Sequence, residues 1–85
     1  MSYESFVEKI NQAEKIAVSY FGKIIYFGTL TVDHIVSDED SVQLESDAQA
    51  LTLTRDNITE ITSDEVEETD YLQMIDGSMM SFSYL

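Results

Sequence analysis

Eighty-five residues, with no cysteine, no proline and a formal charge of −13, bound the chain to one domain with a modest core. The missing cysteines exclude disulfides, thiolate metal sites and cysteine nucleophiles. A hydrophobic fraction of 44% is that of a globular protein, too high for a chain disordered throughout.

The chain reads as one domain, 1–85, of the α+β class: an N-terminal helix followed by a bent, mostly antiparallel sheet of five to six short strands, open or closed into a small barrel, ending in a β-hairpin. The helix is predicted over about 2–18. Ser2 is a candidate N-cap, Ser5 with Glu8 offers a capping box, and Tyr3, Phe6, Ile10, Ala13 and Ala17 form one apolar stripe. Residues 16–21 also fit a first strand, with Gly22 as its turn or as the helix C-cap. Strands are then predicted at about 23–36, 42–46, 50–55, 58–61, 71–75 and 79–84, from period-two patterning and β-branched or aromatic residues. Gly28 suggests a bulge or sharp bend in the first of these. Asp38-Glu39-Asp40-Ser41, Ser46-Asp47 and Asp56-Asn57 read as turns, and Ser63–Asp70 as an acidic connector. Asp76-Gly77 is the two-residue signal of a closing hairpin.

The charge is unevenly placed. Residues 1–37 carry four carboxylates against three lysines, and residues 38–85 carry thirteen against Arg55 alone. A surface of that kind repels nucleic acid and anionic membrane and attracts a basic protein surface. The Met1–Ser5 start has no basic leader, and Ile24–Phe27 is too short an apolar run to cross a bilayer. The expectation is a soluble, cytoplasmic protein.

Catalytic chemistry has little to work with. His34 is the single histidine and sits in a predicted strand, where a structural role is expected. The three glycines are scattered at 22, 28 and 77, so no phosphate loop exists. Asp38-Glu39-Asp40 resembles a fragment of a calcium loop but lacks the central glycine and the later ligand. No catalytic residue, metal site or cofactor is expected, and the chain reads as non-enzymatic. Tyr20, Phe21, Tyr26 and Phe27 suit base stacking, but four basic residues are few for holding phosphates, so direct nucleic-acid binding is not expected.

Gly28-Thr29-Leu30-Thr31-Val32-Asp33 and Arg55-Asp56-Asn57-Ile58 resemble the two motifs of the Sm-like small barrels, over residues 16–61. The glycine-to-aspartate spacing is one residue short, the asparagine after the aspartate is missing, and Asp56 replaces a glycine. The resemblance implies a strongly bent small sheet. It does not extend to RNA binding, because the RNA-contacting positions are unmatched.

Two interaction surfaces are expected. Asp38, Glu39, Asp40, Glu65, Glu67, Glu68 and Asp70 form an acidic face for a basic protein partner, in the manner of a nucleic-acid mimic that inhibits a nucleic-acid-binding protein, as phage-type anti-defence or regulatory proteins do. Met79, Met80, Phe82 and Tyr84 form an apolar last strand whose edge pairs with a second copy in a homo-oligomer, the alternative reading being a structural module.

Overall fold

The computed structural model describes residues 1–22, 25–32, 34–46 and 50–85, with backbone alone for 25–30. Among the described residues one helix precedes eight strands: α1 (Tyr3–Gln12), β1 (Lys15–Phe21), β2 (Ile25–Thr31), β3 (His34–Ser37), β4 (Ser41–Glu45), β5 (Ala50–Thr54), β6 (Ile58–Asp64), β7 (Thr69–Met74) and β8 (Met79–Tyr84). A 3₁₀ turn, Arg55–Asn57, joins β5 to β6. The expected α+β class with an antiparallel sheet stands, but the strands divide into two sheets, ordered β2-β1-β8-β7-β6 and β3-β4-β5. The sheets do not close into a barrel.

Ser2 caps α1 as expected, its hydroxyl accepting from the Ser5 amide at 3.1 Å. Tyr3, Phe6 and Ile10 turn inward, the three- and four-residue steps of one helical stripe. The helix is shorter than the predicted 2–18. It stops at Gln12, where the Ala13 amide bonds back to the Ile10 carbonyl at 3.1 Å. Ala13 and Ala17 fit a helical stripe, but Ile16 and Val18 are buried at period two. That period prevails because β1 pairs on both sides, with β2 and with β8. A strand with two hydrogen-bonded neighbours satisfies its whole backbone, and the β-branched residues suit it.

The predicted strand 23–36 is two strands. β2 ends at Thr31 in the first sheet and β3 starts at His34 in the second; Val32 bridges them, its amide bonded to the Glu14 carbonyl at 3.1 Å. Lys23, Ile24, Asp33, and Asp47 of the predicted Ser46-Asp47 turn, lie outside the described residues. No bulge occurs at Gly28, since the β1–β2 register runs unbroken through Val18↔Gly28. A register shift falls instead between Ile58 and Glu60, where β6 meets β7. β6 and β7 reach further than predicted, to Asp64 and back to Thr69, so the acidic connector is strand at both ends and a turn only over residues 65–68. The Asp76-Gly77 hairpin forms: Gly77 has φ +89°, and the Asp76 carboxylate accepts from the Ser78 amide at 2.9 Å.

One core joins the three layers. Phe6 and Ile10 come from α1, Ile16, Leu72 and Phe82 from the larger sheet, and Val42, Leu44 and Leu53 from the smaller. Phe6 meets Phe82 edge to face, with ring centroids 5.3 Å apart. Each such side chain stabilises by about 1.5–3 kcal/mol on burial.

The expected oligomer edge is corrected by this topology. β8 lies between β1 and β7, and Met80 and Phe82 are buried in the core. Apolar residues in a last strand read equally as edge or as centre. Here they are central because both hydrogen-bond ladders of the strand are filled, by β1 on one side and β7 on the other.

Candidate docking surface

The acidic residues gather at two turns that flank α1. The first joins β3 to β4. Its backbone is fixed by Asp38, whose Oδ1 accepts from the Asp40 and Ser41 amides, each at 2.8 Å. Those two amide dipoles hold the Asp38 carboxyl below its ordinary range, because they favour the charged form. Asp38, Glu39 and Asp40 are all exposed.

Arg55 braces this turn from the 3₁₀ segment. Its amide bonds to the Asp40 carbonyl at 2.7 Å. Its guanidinium donates to the Glu39 carbonyl at 3.3 Å, pairs with Glu4 at 2.9 Å and lies 5.1 Å from the Tyr3 ring centroid. The Glu4 carboxyl is held below its ordinary range by its own backbone amide at the helix start and then by Arg55. Tyr3 is 8% exposed, and its hydroxyl has no hydrogen-bond partner. Burial raises the Tyr3 phenol pKa, and the nearby Asp38 charge adds to the rise. A buried hydroxyl left unpaired costs about 1–3 kcal/mol. Between α1 and the turn lies a groove of about 750 Å³ with Tyr3 and Val7 among its walls.

The second turn joins β6 to β7. Asp64 Oδ1 accepts from the Val66 and Glu67 amides at 3.1 and 3.2 Å. Glu68 takes φ 52°, a left-handed conformation that closes a short turn at some cost in strain. Glu65, Glu67 and Glu68 are exposed.

Asp70 does not belong to that surface. It is fully buried, accepting from Lys9 Nζ at 3.1 and 3.3 Å, from Ser63 Oγ at 2.7 Å and from Tyr84 Oη at 2.7 Å. Spacing along an acidic run does not tell which carboxylate turns inward. Here β7 pairs out to Thr69, so Asp70 sits on the inner side of a strand. Tyr84 likewise serves this network, with Lys9 5.1 Å from its ring centroid. Burial, then the bond to Asp70, drives the Tyr84 phenol far above its usual range.

Sequence reasoning also missed contributors. Glu4 and Glu8 are exposed on α1, one helical turn apart, so the near-neutral N-terminal region adds charge between the two turns. Tyr3 and Arg55 become recognisable only once the 3₁₀ turn packs on the helix start. The two turns border opposite ends of α1, one beside Tyr3, Glu4 and Val7, the other beside Lys9, Gln12 and Ala13. Ten residues of helix set them on the order of 15 Å apart. His34 is exposed at the start of β3, in register with Glu45. Among the described residues no group of three His, Asp or Glu side chains is arranged to hold a metal ion, and no helix is long and apolar enough to cross a membrane. No protein-family model matches the chain, and no curated protein or solved structure shows significant similarity to it.

Proposed function

We propose that the protein is a non-enzymatic binding domain that docks on a basic protein surface, of the kind that otherwise holds nucleic acid, through the carboxylates on either side of α1. The observation that supports this most is the state of the two turns. Glu39, Asp40, Glu65, Glu67 and Glu68 are exposed, and none forms a side-chain ion pair with a cation among the described residues. The turns that carry them are pinned where Asp38 accepts from the Asp40 and Ser41 amides and Asp64 from the Val66 and Glu67 amides. Fixed, unneutralised carboxylates present a potential that a row of lysines and arginines meets with little reorganisation. Inhibition of a nucleic-acid-binding protein follows if that row is its nucleic-acid groove.

The test is capture on the immobilised full chain from a lysate of the source cell, with elution by salt and, separately, by duplex DNA. Basic nucleic-acid-binding proteins released by both are the expected outcome, and E39Q/D40N combined with E65Q/E67Q/E68Q should cut their recovery roughly tenfold or more. Recovery that ignores salt, DNA and these substitutions overturns the proposal. Asp70 is left out of the variant because its carboxylate holds the fold.

A further inference from the structure

Resting on that docking role, we infer that the groove between the start of α1 and the β3–β4 turn receives an arginine side chain of the basic partner. Three observations converge there. The first is charge: the groove is bordered by five carboxylates, Glu4, Asp38, Glu39, Asp40 and Asp56, against Arg55 alone. The second is Tyr3, which lines the groove with a hydroxyl that is buried and unpartnered. The charged groups acting on that hydroxyl, Asp38, Arg55, Asp40 and Glu4, all belong to this groove. An unpartnered hydroxyl at a groove edged by carboxylates offers an acceptor to an N–H donor that carries positive charge.

The third observation is Arg55 itself. Its guanidinium joins an aromatic face, a carboxylate and a backbone carbonyl, which shows the chemistry these walls satisfy. A second guanidinium finds the same kinds of group in surplus: the free carboxylates of Glu39, Asp40 and Asp56 and the Tyr3 oxygen. Arginine fits better than lysine because its planar fork reaches several acceptors at once, stacks on a ring and is more weakly hydrated.

Nona-arginine, titrated into the isotope-labelled full chain and followed by amide chemical shifts, tests the inference, with nona-lysine as the comparison. Nona-arginine should bind more tightly than nona-lysine and move the amides of residues 37–41 and 55–57. Tyr3→Phe should weaken it roughly threefold to tenfold, the scale of one hydrogen bond, without lowering thermal stability. E39Q/D40N/D56N should weaken it more than E65Q/E67Q/E68Q, although each set removes three charges. Asp38, Glu4 and Arg55 are kept because they hold the turn. Shifts confined to residues 64–68, equal loss from the two triple variants, or no effect of Tyr3→Phe would each overturn the inference. Salt-eluted capture that persists in such a case leaves the docking role standing and removes only the groove.

Discussion

Asp70 carries its charge inside the fold, held by donors from α1, β6 and β8. A carboxylate so placed is stable only because each oxygen has hydrogen-bond donors, and its three partners lie far apart in the sequence. Tyr84 gives this network a pH signature. Its phenol is held protonated in the fold, while in the unfolded chain it ionises near the ordinary tyrosine pKa of about 10. The folded state therefore retains a proton that the unfolded state releases, so the stability from this group is complete below about pH 10 and is lost as the pH rises above it. Unfolding free energies from urea titrations between about pH 9 and 11 should fall with pH, the slope from Tyr84 approaching about 1.4 kcal/mol per pH unit above about pH 10. Tyr84→Phe should be less stable at neutral pH and show a shallower alkaline decline, shallower but not flat because Tyr3 is shifted the same way. An identical slope in both proteins would remove Tyr84 as the cause.

At the scale of elements, local signals were legible and competing periods were not. Ser2, the stripe Tyr3–Phe6–Ile10 and the Asp76-Gly77 turn each state a requirement that a few residues settle among themselves. The end of α1 was not legible, because Ala13 and Ala17 fit a helical stripe as well as a strand, and the choice is made by β8 arriving some sixty residues later. The same long reach hid the candidate groove: Asp38–Asp40 is visible as an acidic turn, but Tyr3 and Arg55 join it only through tertiary packing. Gly77 gives the local rule a test. Its φ of +89° is strained for any residue with a side chain, and there is open space around its Cα. Gly77→Ala should destabilise by about 1 kcal/mol through the backbone alone, read from denaturant unfolding. Asn at the same position, which tolerates positive φ better, should cost less. Equal costs for Ala and Asn would point to packing instead.

The whole molecule is about 29 × 27 × 26 Å and carries a formal charge of −13. The asymmetry of that charge was legible, but its division into two patches around a helix was not, since it depends on where β3–β4 and β6–β7 turn. At low ionic strength the screening length is comparable to the body itself, about 30 Å at 0.01 M and about 8 Å at 0.15 M. The carboxylates then repel one another across the fold. Raising sodium chloride from about 0.01 to 0.15 M should raise Tm by several degrees while weakening capture of a basic partner. The two trends run in opposite directions because one concerns repulsion within the chain and the other attraction between chains. A Tm that falls with salt would show that the ion pairs of Lys9 and Arg55 outweigh the repulsion.

The central position of β8 also sets a schedule. As the chain is synthesised, β1 and β7 are complete before residues 79–84 exist, and the slot between them stays open. Until β8 enters, both strands present unpaired amides and carbonyls to whatever is near, and Asp70 waits for the Tyr84 hydroxyl. The larger sheet cannot be completed without β8 at its middle, and a chain in which residues 79–84 are missing or displaced exposes two inner strand edges to mispairing.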